Sequence, residues 1–225
     1  MKKRTSFILW FLLFVFLTTY NFDLSEKIKN FPLLVKNIEL YGTNNSDKEQ
    51  IQKKLDKFRG KSLVLIDRRK LKDTIKNSQF VKELKVKKVY PDTIKVNIIE
   101  FSPLAVFIEK DKKKYVLTDG KEIIEYEESE NFNSLPFVYG KDAEKNFYVF
   151  YTNLEGTGFK MDQIERFNYF KINRWDIILK NDKIIRLPSK NYEESISRFQ
   201  SIYRKENFNN FKVFDFRVKG QLILK

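Results

Sequence analysis

Phe80 to Phe101 reads FVKELKVKKVYPDTIKVNIIEF, two arms of alternating character joined by a proline turn. In the second arm Ile94, Val96 and Ile98 alternate with Thr93, Lys95 and Asn97, the period-two pattern of a half-buried strand. In the first arm Leu84 and Val86 alternate with Glu83, Lys85 and Lys87. Tyr90-Pro91-Asp92-Thr93 lies between them, where proline presets the backbone of a tight turn. The stretch predicts a hairpin whose second arm faces a core through Ile94, Val96 and Ile98.

The residues before it supply the rest of a small domain. Leu33 to Tyr41 is predicted as a strand that ends at Gly42. Ser46-Asp47-Lys48-Glu49 has the form of a capping box, in which serine and glutamate each satisfy an orphan backbone donor. The helix it opens carries Ile51, Leu55 and Phe58 on one face and closes at Gly60. Ser62 to Ile66 is an apolar connector, and Asp67 is placed to cap a second helix with Leu71 and Ile75, ending near Asn77. The predicted order is β-α-α-β-β over residues 33–101.

Further back, Met1-Lys2-Lys3-Arg4 is a basic tip, and no residue from Thr5 to Phe22 is charged. Phe7, Ile8, Leu9, Trp10, Phe11, Leu12, Leu13, Phe14, Val15, Phe16 and Leu17 form an unbroken apolar run. As a helix, residues 5–22 would span about 27 Å, close to a bilayer core of roughly 30 Å. The basic tip predicts that residues 1–4 stay in the cytoplasm. A cleaved signal peptide shares the charged start and apolar middle, but it needs small residues before the cut, and the exit here is Leu17-Thr18-Thr19-Tyr20-Asn21-Phe22. The expectation is an uncleaved anchor over 5–22 and a juxtamembrane link over 23–32.

Bulk composition narrows the chemistry. The chain has 225 residues, enough for two domains, and 22 Phe with 11 Tyr make its cores aromatic. A net charge of +14 raises nucleic acid as a partner, yet the positive residues are scattered singly through strands and helices, and the anchor places them outside the cytoplasm. They read as solvated faces, with no nucleic acid expected. With no Cys and no His there is no thiol nucleophile, Ser-His pair, imidazole ligand or disulfide. No metal, cofactor or catalytic residue is expected.

Residues 102–225 read as a second, larger β-rich unit. Short strands at Ala105–Ile108 and Lys114–Thr118 flank a charged turn, and Glu122–Glu130 reads as an acidic loop. A short helix is predicted over Ala143–Thr152. Strands follow at Gln163–Tyr169, Trp175–Lys180 and Lys183–Leu187, with Asn181-Asp182 as a hairpin turn. Asn191 to Glu194 has capping-box form ahead of a helix with Tyr192, Ile196, Phe199 and Tyr203 on one stripe. Strands at Phe211–Val218 and Gln221–Leu224 complete the unit.

Several patterns invite a site. Glu122, Glu125, Glu127, Glu128 and Glu130 supply carboxylates for hydrolysis, against the plainer reading of a solvated acidic loop. Asp119-Gly120 lacks the further oxygen ligands of a calcium loop and reads as a turn. Alternation puts Trp175, Ile177 and Leu179 on one face, so the tryptophan reads as core. At the C-terminus Phe214, Phe216 and Val218 form one face of the penultimate strand, and Gln221-Leu222-Ile223-Leu224 would be last in a sheet. The residues leave two readings open there: an edge that accepts another strand, or a strand that is internal or closed by Lys219 and Lys225.

The order of the first domain, with its Tyr41-Gly42, Gly60-Lys61-Ser62-Leu63, Phe80-Val81-Lys82 and Tyr90-Pro91-Asp92-Thr93-Ile94-Lys95-Val96, resembles a POTRA domain. One POTRA domain after an N-terminal anchor resembles the FtsQ/DivIB family of bacterial cell-division proteins. Pro103-Leu104-Ala105, Tyr115-Val116-Leu117-Thr118-Asp119-Gly120, Leu135-Pro136 and Val138-Tyr139-Gly140 fit that likeness. So do Arg174-Trp175-Asp176-Ile177-Ile178-Leu179, Ile184-Ile185-Arg186-Leu187-Pro188 and Phe214-Asp215-Phe216-Arg217. Asn181-Asp182 departs from it, standing where a glycine is more usual. The resemblance implies an α+β protein: anchor, POTRA domain over 33–101, then a mixed α/β domain over 102–225 dominated by antiparallel sheet. It implies a non-enzymatic scaffold of the cytoplasmic (inner) membrane at the division septum, with its bulk in the periplasm. FtsB- and FtsL-like proteins would be its partners, septal peptidoglycan synthesis the process it helps regulate. It also favours the open-edge reading, with Phe214, Phe216, Arg217, Val218, Gly220, Gln221, Leu222, Ile223 and Leu224 at the partner site. A membrane-anchored cell-wall hydrolase would require two carboxylates converging in a cleft, and a POTRA-bearing escort of polypeptides would require outer-membrane barrel strands to follow.

Overall fold

The computed structural model describes residues 10–16, 33–203, 205–208 and 210–225. Residues 10–16 are helical and exposed, while most of the expected anchor and all of the 23–32 link lie outside the described residues. Among the described residues no helix is long and apolar enough to cross a membrane. The chain forms two compact units. One comprises the described residues up to Gly42 with Lys48–Asn77 and Leu84–Ile98, the other Thr43–Asp47, Ser78–Glu83 and Ile99–Lys225.

The first unit follows the expected order. β1 (Asn37–Tyr41) leads to α1 (Lys48–Asp56) and α2 (Arg68–Ile75), then to β2 (Val81–Val89) and β3 (Thr93–Glu100). The sheet order is β1-β3-β2, with β1 parallel to β3 and Leu40 opposite Val96. Ile94, Val96 and Ile98 are buried, as are Ile51 and Leu55 of α1 and Leu71 and Ile75 of α2, so the predicted strand phase holds. Asp67 caps α2, its carboxylate accepting from Arg69 N–H at 2.8 Å. Gly42 sits at φ +77°, and a Cβ there would run into the Ile98 carbonyl, which explains the glycine at the strand exit.

The capping box is a correction. Lys48 is the first residue of α1, and Ser46 instead donates its hydroxyl to the Gln79 carbonyl at 3.0 Å. The loop is turned that way because Glu100 accepts the backbone N–H groups of Asn45 and Ser46, each at 2.8 Å.

The second unit is built on a nine-stranded sheet of order β12-β11-β10-β9-β8-β7-β4-β5-β6. Its strands are β4 (Pro103–Ile108), β5 (Lys114–Thr118), β6 (Ile123–Glu125), β7 (Phe137–Tyr139), β8 (Ile164–Phe170), β9 (Arg174–Leu179), β10 (Ile184–Arg186), β11 (Val213–Asp215) and β12 (Ile223–Leu224). β4–β7, β7–β8 and β10–β11 are parallel and the other pairings antiparallel. Parallel neighbours need a crossover. α3 (Ala143–Gly156) bridges β7 to β8, and α4 (Tyr192–Tyr203) bridges β10 to β11.

Both helices pack on one face. Phe147, Phe150 and Leu154 of α3 and Ile196 and Phe199 of α4 share a core with Phe167, Trp175, Ile177 and Phe214. Trp175 is the predicted core tryptophan, stacked on Phe150 at 4.6 Å and 12°. Such a pair adds about 0.5–1.5 kcal/mol beyond the burial of the rings. On β4 and β5, Val106 and Val116 face the other way and pack with Phe80 and Phe132.

Three other expectations shift. Glu122–Glu130 is not a plain loop: Ile123–Glu125 pairs with β5 as β6, Val116 opposite Ile124. The expected strand over Phe211–Val218 shortens to Val213–Asp215: the Phe216 N–H still donates to the Arg186 carbonyl of β10, and the chain then turns at residues 218–221, where Gln221 N–H donates to the Val218 carbonyl. α3 runs on to Gly156, four residues past its predicted end, with the chain reversing at Gly158, φ +71°.

Candidate functional site

α4 creates the C-terminal edge. Its stripe lands as the spacing requires, with Ile196 and Phe199 buried and Tyr192 and Tyr203 half-buried against the same core. Phe199 meets Phe214 edge-to-face at 5.0 Å and 87°, which fastens β11 under the helix. β11 ends at Asp215, the chain turns through Gly220 at φ +74°, and β12 returns antiparallel with Leu224 opposite Phe214.

The hydrogen bonding fixes which groups of β12 face outward. Lys225 and Val213 exchange both backbone bonds, Lys225 N–H to the Val213 carbonyl at 3.1 Å and Val213 N–H to the Lys225 carbonyl at 2.9 Å. Inward and outward pairs alternate along an antiparallel strand. Ile223 therefore directs its N–H and carbonyl toward β11, and Leu224 directs its own away from the sheet. β12 is the terminal strand of the sheet order, so the Leu224 groups lie on its outer edge.

Beside this edge lies a cavity of about 370 Å³ walled by residues 188–191, by Glu194, Ser195 and Arg198 of α4, and by residues 216–221. Lys190, Arg198, Arg217 and Lys219 give it positive character against Glu194. Arg217 is held in place. Its Nε lies 2.8 and 3.0 Å from the two Asp215 oxygens, its Nη2 lies 2.6 Å from Oδ2, and its N–H donates to Oδ1 at 3.1 Å. These bonds, led by the side-chain pair, hold the Asp215 carboxyl below the usual carboxylate range. Arg186 reaches both Asp215 and Asp176, each at 3.7 Å. Asp176 differs: burial pushes its carboxyl up, partly offset by Arg174, Arg186 and Arg217. Asp176 Oδ1 and Arg174 Nε are buried 3.6 Å apart, too far for a hydrogen bond, and neither atom has another partner.

The arrangement offers an incoming chain two things, main-chain groups along β12 and a basic cleft for acidic side chains. The expected partner residues divide accordingly. Arg217, Val218, Gly220, Gln221 and Ile223 are exposed, and Leu222 and Leu224 are half-buried against the core. Phe214 and Phe216 are 0% and 4% exposed and belong to the core, so they support the edge from beneath and present no surface. The cleft residues of α4 were missed. Arg198 lies one turn from Glu194 on the side of the helix away from the Ile196–Phe199 stripe, a pattern that reads as solvated helix surface until β12 is placed next to it.

The other sequence patterns take structural places. Asp119 accepts Ser102 N–H at 3.0 Å and Lys82 Nζ at 3.0 Å, so its carboxylate ties a turn. Glu122, Glu125, Glu127, Glu128 and Glu130 are exposed, strung along β6 and the segment after it. Among the described residues no cluster of acidic side chains is arranged to hold a metal.

Two family models match the sequence of both parts of the chain. The family model for FtsQ-type POTRA domains matches residues 33–101, and that for the C-terminal region of cell-division protein FtsQ/DivIB matches residues 106–217. The second match stops at Arg217, before β12. Cell division protein FtsQ of Rickettsia conorii is 25% identical over 215 residues, 93% of this chain and 78% of its own length. Its counterpart in Rickettsia felis is 26% identical over 217 residues, with the same two shares. That of Rickettsia bellii is 25% identical over 193 residues, 85% of this chain and 72% of its own. With both parts of the chain matched in order, an FtsQ-type POTRA domain followed by the FtsQ/DivIB C-terminal region, the chain belongs to the FtsQ/DivIB family of cell-division proteins.

Proposed function

We propose that this cell-division protein is a membrane-anchored scaffold of the septal machinery that captures a small single-pass partner of the FtsB/FtsL kind by strand addition at β12. Residues 5–22 anchor it in the cytoplasmic membrane with residues 1–4 inside. Residues 33–101 and 102–225 act outside as the POTRA domain and the partner-binding domain. Held this way, the partner complex gives the protein its influence on septal peptidoglycan synthesis. The single observation that carries the reading is the pairing of an outward-facing Leu224 backbone with a basic cleft lined by residues 216–221 of the same hairpin.

An added strand forms main-chain bonds that net only about 1 kcal/mol each, so two or three of them do not hold a partner. Charge-assisted contacts are stronger. Arg217, already oriented by Asp215, offers one to an acidic side chain beside the added strand, with little further ordering cost. The chemistry is that of binding: exposed main chain for affinity, neighbouring side chains for choice of partner.

Two experiments test this. Full-length protein purified from detergent-solubilised membranes should carry FtsB- and FtsL-like proteins, and the Leu224→Pro variant should lose them while remaining folded. Retention of both partners by that variant would move the site elsewhere. A phosphatase reporter active only after export, fused after Lys225, should be active on a chain whose N-terminus is intact. A mature chain beginning near Asn21 would replace the anchor with a cleaved signal.

A further inference from the structure

At one end of the first unit three exposed apolar side chains gather where the chain arrives at Leu33. Leu63 N–H donates to the Leu33 carbonyl at 2.8 Å, which lays the α1–α2 connector against that point. The next two residues, Val64 and Leu65, are 49% and 63% exposed. Lys36 and Asn37 both donate N–H to the Asp92 carbonyl, which brings the β2–β3 turn to the same end, with Tyr90 60% exposed. Between residues 33 and 98 the other large exposed apolar side chain described, Tyr41, lies at the far end of β1. Single exposed apolar residues need no explanation, but three at one end of a small unit do.

The rim of this end is basic. Lys88 Nζ donates to the Val64 carbonyl at 2.9 Å, and Lys61, Arg68 and Arg69 flank the connector in sequence. The acids there are engaged: Asp67 caps α2, and Asp92 accepts from the Thr93 hydroxyl at 2.9 Å. Burial first, then the nearby Arg68 guanidinium, pull the Lys88 ammonium below its ordinary value, partly offset by Asp67. The bias extends through the POTRA region. Residues 33–101 hold 17 Lys and Arg against 9 Asp and Glu, while residues 102–225 hold 22 against 19. The positive charge therefore concentrates in the part nearest the anchor.

We propose that this end of the POTRA unit docks on the anionic lipid surface of the membrane, with Val64, Leu65 and Tyr90 in the headgroup layer and Lys61, Arg68 and Lys88 on lipid phosphates. The inference rests on the anchor reading, since ten residues, 23–32, separate the anchor from Leu33. A fully extended link of that length reaches about 35 Å, so the unit never leaves the neighbourhood of the bilayer. Short apolar residues ringed by cations bind anionic interfaces, and tyrosine favours headgroup depth. Docking turns a loose tether into a unit of fixed orientation.

The chain contains no cysteine, so Leu65→Cys accepts a single environment-sensitive fluorophore. Full-length labelled protein is reconstituted into vesicles of phosphatidylcholine with or without phosphatidylglycerol, and quenching by brominated lipid is read. Position 65 should be quenched about threefold more strongly than a Tyr41→Cys label when phosphatidylglycerol is present. Most of that quenching should be lost in phosphatidylcholine alone, or in an Arg68→Glu, Arg69→Glu variant. Glutamate suits the first turn of a helix, so this reversal leaves α2 intact. Val64→Cys repeats the measurement at a second exposed position, and Leu12→Cys reports the anchor in the same vesicles. Quenching at 12 without quenching at 65 or 64 keeps the anchor and overturns the docking; quenching at none of them overturns both. A label at 65 shielded from aqueous iodide yet not reached by brominated lipid marks a protein contact, and overturns the assignment to lipid.

Discussion

The nine-stranded sheet ends in two short strands, β6 and β12, and the two edges are dressed in opposite ways. β6 is three residues long and carries Glu122, Glu125, Glu127 and Glu128 on or beside it. β12 is two residues long, flanked by Lys219 and Lys225, and stands next to the cavity that Arg198 and Arg217 line. Charged residues on a short strand are a common guard against unwanted pairing. By that rule alone both edges are guarded. What sets β12 apart is a cleft with a pre-oriented arginine, and under the proposed strand addition that arginine makes the edge selective for an acidic segment. An unpaired strand supplies affinity to anything extended; the surroundings decide what it accepts.

The largest difference between the edges should come from what lies beneath them. Phe214 is fully buried under α4, whereas Ile124 of β6 is half-buried. Phe214→Ala should cost about 3–5 kcal/mol in a urea melt and release the C-terminal hairpin. Ile124→Ala should cost about 1 kcal/mol, as its burial is partial. Equal costs would mean that the core does not extend under β11 as described.

Proline separates fold from function. The Tyr126 N–H donates inward to the Lys114 carbonyl, so alternation turns the Glu125 N–H outward on β6, as it does that of Leu224 on β12. Glu125→Pro and Leu224→Pro remove equivalent donors from the two edges, and both variants should melt within about 1 kcal/mol of the parent. Only Leu224→Pro should lose the FtsB-like partner. Ile223→Pro, whose N–H faces β11, should lower the melting temperature as well. Loss of partner binding by Glu125→Pro would break the distinction between the edges.

The cleft should contribute less than the strand. Arg217→Ala is expected to weaken partner binding about tenfold in calorimetry, the effect of one oriented charge contact at a partly exposed site. Lys219→Ala should change it less, and more so at low than at high salt.

A pH-dependent effect concerns the two aspartates behind the cleft, and their signs differ. Asp215 is held below the ordinary carboxylate range, so its contribution is complete above that range and is lost as pH falls through its folded value. Asp215→Asn should therefore cost about 2 kcal/mol at pH 7, with the difference shrinking in acid. Asp176 is pushed up by burial, so the native state favours its protonated form and loses stability as pH rises through the interval above the ordinary value. Asp176→Asn removes that loss and should cost less than Asp215→Asn at pH 7. Melts of both variants from pH 3 to pH 7 check the pair of signs.

Much of this fold was legible in the sequence because period and capping are local. Ile94, Val96 and Ile98 announced their buried face by alternation, Asp67 its cap, and Ile196 and Phe199 their stripe. What escaped depends on distant partners. Ser46 fits a capping box, but Glu100, far along the chain, turns its loop toward Gln79. Ile123–Glu125 looks like acidic loop because a three-residue strand on an edge has too few residues to show a period. For the candidate site, the terminal position of the last strand is legible in the chain order, while Phe214 and Phe216, expected at the partner site, belong to the core. Their alternation is real, but α4 covers the face they form. The α4 wall of the cleft, Glu194, Ser195 and Arg198, carries no local signal, since polar residues on the far side of an amphipathic helix look alike whether or not a strand returns beside them.

The most direct measurement is hydrogen exchange at single backbone amides of the full-length protein, with and without the bound FtsB-like partner. If a strand adds to β12, the Leu224 amide gains an acceptor and its exchange slows by an order of magnitude or more, as expected for a newly formed sheet bond. The Glu125 amide on the opposite edge should keep its rate. A complex that forms while Leu224 exchanges as it does in the free protein would contradict strand addition at β12.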